Sequence, residues 1–181
     1  ELGRAFRRAF VPAPGLILLV ADYNQIELRC IAHLSGDPSL IAAFEAGDDI
    51  HRSVASRTWG VPTSEVTTEL RNRAKMVAYG LAYGMEAYGL AQRLDVSTDE
   101  ASGILEAYFE AFPGVRDYMD RSVDEARQRG YTETLFGRRR PIPELTSNNF
   151  NVRQAGERQA MNAPIQGLAA DIFKVALVGI D

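Results

Sequence analysis

The sequence has 181 residues, 46% of them apolar and 24% charged, which is the length and composition of one globular domain with a substantial core. Its net charge of −4 argues against a general nucleic-acid coat protein, which would be basic, although a local basic site is compatible with it. The single cysteine, Cys30, excludes an internal disulfide and predicts a reducing, cytoplasmic setting, and we expect no membrane partner because no apolar segment approaches membrane-spanning length.

Both ends of the chain look cut. It begins at Glu1 without a methionine, and it stops in "FKVALVGID" while an apolar helical pattern is still running. We therefore expect a segment of a longer protein, which is monomeric as part of that longer chain.

The first element is a short aliphatic run, residues 16–21, which predicts a buried strand ending in Asp22. A carboxylate there is costly unless a helix N-terminus, a basic side chain or a metal ion meets it. After Asp22 the apolar period changes to that of a helix, and Gly36 can close this helix. The residues that recur at helical spacing are Ile26, Cys30, Ile31 and Leu34.

The rest of the chain is predicted to be mostly helix with one hairpin. Such a chain offers too little sheet to pair the strand before Asp22, which indicates missing neighbours. The predicted elements are a helix capped by Asp37 and stopped by Gly47, one from 48 or 49 to 60, a long one over 68–83, a short one to 94, one after a Ser97–Glu100 capping box, one over 115–128, a hairpin turning near Gly137, and two helices, 147–161 and 165–180, separated by Pro164.

Asp22 has two interpretations. As a helix N-cap it would accept backbone N–H bonds and need no further role. As a strand-end carboxylate at a polar rim it would suit Mg²⁺, which takes few carboxylates and keeps water and phosphate ligands.

A stripe on the long predicted helix offers partners for that carboxylate. Arg71, Lys75, Tyr79 and Tyr83 are spaced by four, so a helix places them on one side, with Arg71 and Tyr79 roughly 12 Å apart. Two cations followed by two aromatic rings could hold phosphates at one end and stack on sugar and base at the other. Gly80 and Gly84 would let another backbone or a base approach closely. The alternative is a solvated basic face with tyrosines at the edge of the core.

Each of the further polar clusters could either bind a ligand or have only a structural or solvated role. The run Arg138, Arg139, Arg140 could contact phosphate or simply be solvated. On a later helix, Arg158, Asn162 and Gln166 could share a face and reach minor-groove acceptors, or cap a helix break. His51 lies in a helix among polar neighbours, where a histidine is commonly structural.

Four strings resemble known motifs. "DYNQIELRCIAHLSGD" is similar to the first polymerase motif of family A DNA polymerases, and "RNRAKMVAYGLAYG" to the second, a nucleotide-binding finger helix. "GYTETLFGRRR" and "ERQAMNAPIQGLAADIFKVA" resemble the segments that follow. The resemblance implies part of the palm and the fingers of a right-hand polymerase, with 1–27 in the palm and 28–181 in the fingers, including the nucleotide-binding helix and the helices that contact primer–template.

The resemblance also implies an activity, cofactor and partners: template-directed DNA synthesis in replication or repair, with Mg²⁺, dNTP substrates and primer–template DNA. Asp22 would be catalytic and bind Mg²⁺ together with the Tyr23 carbonyl, and Glu27 would exclude a ribose 2′-hydroxyl. The other implied roles are triphosphate binding by His51, Arg71 and a catalytic Lys75, packing on sugar and base by Tyr79, stacking near the templating base by Tyr83, and DNA contacts by Arg138, Arg158, Asn162 and Gln166.

One family motif is missing from the sequence. The third motif, His-Asp-Glu, would supply a second metal-binding carboxylate, but His33 and His51 are followed by Leu34 and Arg52. We expect this motif beyond Asp181 in a longer chain and expect the 181 residues alone to be inactive. Two alternatives stay open: a non-catalytic nucleotide- or DNA-binding remnant, and a relative of single-subunit RNA polymerases, against which Glu27 argues.

Overall fold

A computed structural model describes residues 2–47 and 49–180, and over these residues the chain is mostly helical with one antiparallel pair of strands. This confirms the predicted fold class. The elements are α1 (Leu2–Arg7), α2 (Ile26–Ser35), α3 (Pro38–Glu45), α4 (Ile50–Trp59), α5 (Thr68–Ala82), α6 (Ala87–Leu94), α7 (Thr98–Ala111), α8 (Pro113–Arg129), β1 (Tyr131–Glu133), β2 (Arg139–Pro141) and α9 (Phe150–Ile180), with short 3₁₀ turns at Thr63–Glu65 and Pro143–Thr146.

Local capping sets most helix boundaries where the sequence predicts them. Helix α2 ends at Gly36 in the left-handed conformation, and α4 ends in the same way at Gly60. The N-cap of α4 is Asp49, while Asp48, the other predicted starting point, lies outside the described residues. Ser97 Oγ accepts a hydrogen bond from the Glu100 backbone N–H at 3.1 Å and begins α7.

The core lies where the helices cross. Helix α4 packs against α5 and α7, with its N-cap Asp49 hydrogen-bonded to Arg71 in the first turn of α5, while α2 packs against α5, α8 and α9. Burying these apolar faces removes large side chains from water, and this burial stabilises the arrangement. The largest fully buried side chains include Tyr108, Phe112, Leu28, Ile31, Ile50 and Val54.

The predicted hairpin is confirmed. Strand β1 pairs with β2 in a register that places Thr132 opposite Arg140, and Gly137 has a φ of +80° in the connection. The hairpin packs on α8 and α9. A Cβ at Gly167 of α9 would lie only 2.6 Å from the Thr134 side chain, so this glycine permits the close approach of the hairpin.

The predicted strand over residues 16–21 does not form. These residues have no ladder partner among the described residues, and the side chains of residues 16–20 are 56–90% exposed. A strand requires a neighbour to pair its backbone N–H and C=O groups, and the single hairpin lies elsewhere in the fold. The aliphatic run therefore remains irregular and leads directly to Asp22.

The prediction of two final helices is wrong, because α9 is continuous from Phe150 to Ile180 with Pro164 inside it. Proline removes one ladder hydrogen bond and usually breaks a helix. Here Pro164 and its neighbour Ile165 are buried, and α9 packs against α2 and α8. Tertiary packing thus outweighs the local preference.

Helix α9 also corrects the expectation about apolar segments. By length and composition it could cross a membrane, with a mean hydropathy of 1.5 over its most apolar 18 residues, 28% of which are buried. The buried part of α9 packs against the protein, and it includes two polar side chains, Asn162 and Asp171.

The buried carboxylate of Asp37 provides a stability test. Its oxygens accept hydrogen bonds from the backbone N–H groups of Ser39, Leu40 and Gly114, each at 3.0 Å, and so join the N-termini of α3 and α8. We expect Asp37→Ala to lower the free energy of unfolding by about 2–4 kcal/mol, since it removes a cap and leaves a buried donor unpaired. Urea denaturation measures this loss. Ser97→Ala, which removes a cap alone, should cost about 1 kcal/mol, and an equal loss in both variants would contradict the bridging role.

Candidate functional site

One cleft gathers residues from three segments of the chain. Asp22 and the residues after it lead into α2, His51 lies in the first turn of α4, and Arg71, Lys75 and Tyr79 come from α5. We call this the α4–α5 cleft, a cavity of about 400 Å³ lined by Asp22, Tyr23, Asn24, Gln25, His51, Arg71, Lys75 and Tyr79. It therefore brings together six of the residues that the sequence singles out.

The structure excludes one of the two interpretations of Asp22. The N-cap of α2 is Gln25, in a left-handed conformation and without a side-chain capping bond. Asp22 is exposed in the cleft, and among the described residues its carboxylate accepts no hydrogen bond. The N-cap interpretation is wrong, and the metal-binding interpretation stays a prediction, with Asp22 lining the same cleft as Arg71 and Lys75.

Asp49 anchors the basic side of the cleft. Its Oδ2 accepts a hydrogen bond from Arg71 Nε at 2.6 Å, while its Oδ1 accepts from the backbone N–H groups of His51 and Arg52 at 3.1 and 3.3 Å. Burial by itself raises the pKa of Asp49, but the hydrogen bonds from Arg71 and the helix outweigh it and lower that pKa overall. Asp49 is thus ionised and links α4 to α5.

His51 lies at the back of the cleft. It is only 2% exposed, its ring centroid lies 5.7 Å from that of Tyr79, and its Nδ1 has no hydrogen-bond partner among the described residues. Burial, followed by the positive charge of Arg71, lowers the pKa of His51 although Asp49 opposes the shift. The imidazole is therefore neutral at pH 7 and keeps an unused polar atom beside the cations.

The aromatic end of the stripe faces carboxylates. Tyr83 donates a hydrogen bond from its hydroxyl to Glu27 Oε1 at 3.1 Å, and burial together with this bond raises the pKa of Tyr83. Burial also raises the pKa of Tyr79, and the negative charges of Glu27 and Asp22 add to the shift. Tyr79 is therefore close to both carboxylates, so Glu27 belongs to the same site.

A second surface adjoins the first at Tyr83. The predicted face of Arg158, Asn162 and Gln166 forms in spite of Pro164, because α9 is continuous. We call this surface the α9 groove, a cavity of about 360 Å³ lined by Tyr83, Gly84, Arg140, Ala155, Arg158, Gln159, Asn162, Ala163 and Gln166.

Arg138 is placed outside the α9 groove. Its guanidinium pairs with the buried carboxylate of Asp171, which also accepts a hydrogen bond from Thr134 Oγ1 at 2.7 Å. Arg140 lines the groove instead and donates to Gln159 Oε1 at 3.0 Å. The role predicted for Arg138 stays a prediction, and the residue of the triple-arginine run that reaches the groove is Arg140.

The two glycines of the stripe are close to protein side chains. A Cβ on Gly80 would lie 3.3 Å from Met85 Sδ, and one on Gly84 would lie 2.2 Å from Asn162 Nδ2. Gly84 also has a φ of +71°, which non-glycine residues rarely adopt. Side chains of this chain, and not another backbone, lie against these two glycines, and the approach of a base stays a prediction. Asn162 is nearly buried, and its Oδ1 has no partner among the described residues.

This packing predicts a strong effect of Gly84→Ala. The substitution combines backbone strain with a clash against Asn162, so we expect it to lower the free energy of unfolding by about 2–4 kcal/mol. Gly60→Ala is a matched control, because φ is +64° there but a Cβ would meet nothing within 4 Å. It should cost about 1–2 kcal/mol. Urea denaturation gives both values, and the NMR signal of the Asn162 side-chain amide should shift only in Gly84→Ala. Equal losses with an unmoved signal would contradict the tight packing.

Comparisons with known proteins cover the whole chain. The sequence model described as DNA polymerase family A matches residues 1–181. The chain is 57% identical to DNA polymerase I of Mycobacterium tuberculosis over 182 residues, covering all of this chain and 20% of that protein. It is 50% identical to DNA polymerase I of Geobacillus stearothermophilus over 181 residues, covering 99% of this chain and 21% of that protein.

A solved structure agrees with these sequence matches. It is the POL domain of Pol1 from M. smegmatis in complex with DNA primer-template and dNTP, and it matches with a TM-score of 0.88 and 56% identity. The match covers 98% of this chain and 32% of the solved chain. The chain thus spans about a fifth of the length of its curated relatives. Motifs, fold and comparisons agree, and the chain belongs to DNA polymerase family A.

Proposed function

We propose that this chain is the nucleotide-binding part of a template-directed DNA polymerase, which transfers a nucleotide from a dNTP to a primer 3′-hydroxyl. The observation that carries the proposal is the α4–α5 cleft, which Asp22 lines together with Arg71 and Lys75, and where the Asp22 carboxylate has no hydrogen-bond partner among the described residues. Such a cleft has the charges to hold a polyanion together with the cation that accompanies it. The family membership and the M. smegmatis complex support this assignment.

The basic side of the cleft would bind the triphosphate. Arg71 and Lys75 are one helical turn apart, about 6 Å along α5, which is a spacing suited to neighbouring phosphate groups. Burial and the positive charges of Arg71 and Lys75 lower the pKa of His51, and an anionic ligand between these two side chains would offset their charges beside the Nδ1 atom that has no partner among the described residues. Tyr79, which packs against His51, would then lie beside the sugar and base.

The donor set fits Mg²⁺ that is delivered with a nucleotide. Asp22 offers a carboxylate and Tyr23 a main-chain carbonyl, and Mg²⁺ commonly takes one or two carboxylates plus phosphate oxygens and water. When bound, Mg²⁺ ions would activate the 3′-hydroxyl and stabilise the leaving pyrophosphate. Asp22 and Tyr23 would hold the ions, and Lys75 would meet the negative charge that develops on the transferred phosphate.

We further propose that the 181 residues alone bind nucleotide weakly and do not extend a primer. Among the described residues no group of three or more histidine, cysteine, aspartate or glutamate side chains could hold a metal ion. Glu27, the other carboxylate near Tyr79, is engaged with Tyr83. Primer extension by the purified chain at the rate of a full-length polymerase would contradict this part, whereas a full-length protein without activity would favour the non-catalytic remnant.

The α9 groove would bind the primer–template. Its amide and guanidinium groups can pair with minor-groove acceptors or phosphates, and Arg140 adds a second basic side chain to Arg158. Tyr83 lines this groove and also bonds to Glu27, so the primer–template and nucleotide sites would meet at this tyrosine.

The metal-binding role predicts the behaviour of Asp22→Asn. In the full-length polymerase that contains this chain, we expect primer extension to fall at least about tenfold, equivalent to ~1.4 kcal/mol, because the amide cannot supply the negative charge. The affinity for primer–template, measured by fluorescence anisotropy, should be unchanged. Asp117→Asn, at an exposed position on α8, is the control and should retain full activity. A smaller loss in Asp22→Asn would make the metal assignment wrong.

The sugar-excluding role predicts that Glu27→Ala admits ribonucleotides. The shorter alanine side chain would leave space beside the sugar, and it would remove the oxygen that accepts the hydrogen bond from Tyr83. Glu27→Gln keeps the volume and an oxygen for the Tyr83 hydroxyl, so it should retain most of the selectivity. The measurement is the ratio of kcat/KM for a dNTP to that for the matching rNTP. If Glu27→Ala left that ratio at the wild-type value, the steric role would be excluded.

A further inference from the structure

Asp49 stands between the two helices that form the triphosphate side of the cleft. Its two carboxylate oxygens have separate tasks: Oδ1 caps α4, next to His51, and Oδ2 binds Arg71 Nε at 2.6 Å. These contacts join residues that are 22 positions apart in sequence. From this geometry we propose that Asp49 is a positioning residue, which holds the Arg71 guanidinium ready for the triphosphate. The inference rests on the proposed function.

The contact with Asp49 does not use the terminal nitrogens of Arg71. Only Nε is engaged, and neither terminal nitrogen donates a hydrogen bond to any residue in the described part of the chain. A guanidinium is planar, so fixing Nε also fixes the plane in which the terminal N–H groups point. Arg71 lines the cleft, so the contact with Asp49 limits the orientation in which its two terminal NH2 groups can donate there.

The energetic effect of this contact would be on binding more than on folding. The side chains of Arg71 and Asp49 are 33% and 36% exposed, and ion pairs at such exposure contribute little to stability. A long, flexible side chain, however, loses conformational freedom when it binds a ligand. The contact with Asp49 would order part of the Arg71 side chain before the nucleotide binds, so less conformational freedom would be lost on binding.

Asp49 also places a negative charge near an anionic ligand, which opposes binding. Three hydrogen bonds, from Arg71, His51 and Arg52, already satisfy its oxygens and spread its charge. The carboxylate bonds to Nε and, among the described contacts, to neither of the terminal nitrogens that would meet the phosphates. The positioning effect should therefore exceed the repulsion, and removal of the carboxylate should weaken nucleotide binding.

Two substitutions separate the cap from the contact with Arg71. Asp49→Ser keeps an oxygen that can cap α4, but its side chain is too short to reach Arg71. Asp49→Glu keeps a carboxylate that can reach Arg71, but glutamate is a poorer N-cap. If Asp49 acts through Arg71, nucleotide affinity should follow the carboxylate, while the free energy of unfolding should follow the cap.

The experiment measures dNTP affinity in the full-length polymerase bound to a primer–template whose primer lacks a 3′-hydroxyl, so that binding is separated from chemistry. We expect Asp49→Ser to raise the Kd for the matched dNTP about tenfold with an unchanged Kd for DNA, and Asp49→Glu to restore most of the affinity. Ser97→Ala removes a cap far from the cleft and should leave both Kd values unchanged.

A double-mutant cycle with Arg71→Ala tests the route of the effect. We expect Asp49→Ser to cause no further loss of dNTP affinity when Arg71 is already absent. A full additional loss in the double variant would overturn the proposal, and so would unchanged or tighter dNTP binding in Asp49→Ser alone. If Arg71→Ala itself left dNTP affinity unchanged, the proposed triphosphate site would be wrong, so the two failures are distinguishable.

Discussion

The packing of α4 against α5 is the constraint on which the site depends. It brings the N-terminus of α4 to α5, where Asp49 bonds to Arg71, so His51, Arg71 and Lys75 line a single cleft. The positive charges of Arg71 and Lys75 repel each other, and this repulsion must be offset for the cleft to form. The negative charge of Asp49 offsets this repulsion within the protein, and a bound polyanion would offset it further.

The local features of the fold could be read from the sequence because they depend on neighbouring residues. Asp37, Ser97, Gly36 and Gly60 cap helices through contacts within a few positions, and the structure has the helix ends where these residues predict them. The stripe on α5 was also predictable, since a helix of known period fixes which residues share a side.

The errors arise where distant contacts decide the outcome. Pro164 should end a helix by its own chemistry, yet packing by α2 and α8 keeps α9 continuous. An aliphatic run predicts a strand, but residues 16–21 have no ladder partner in the part of the chain that the structure describes. The role of Arg138 is not among these errors and stays a prediction, but the triple-arginine run gives no signal to distinguish Arg138, which pairs with Asp171, from Arg140, which lines the groove.

Asp49 shows which feature of the candidate site could not be predicted from the sequence. In the sequence it is an ordinary N-cap before "IHR", and its bond to Arg71 depends on a contact across 22 positions. The same holds for Glu27 and Tyr83, which are 56 positions apart and joined by a hydrogen bond. A sequence pattern can indicate which residues bind a ligand, but the residues that orient them are found only in the folded chain.

The hydrogen bond between Tyr83 and Glu27 also connects the two surfaces. Tyr83 lines the α9 groove, and its hydroxyl donates a hydrogen bond to Glu27, whose charge also acts on Tyr79. Under the proposed function, a templating base that displaced Tyr83 would break this bond and release the Glu27 carboxylate beside the incoming sugar. Burial and the hydrogen bond to Glu27 raise the pKa of Tyr83, so the hydroxyl keeps the proton that it donates. A single exposed hydrogen bond, which costs about 1 kcal/mol to break, therefore joins the two surfaces, and under the proposed function it would link entry of the template to selection of the sugar.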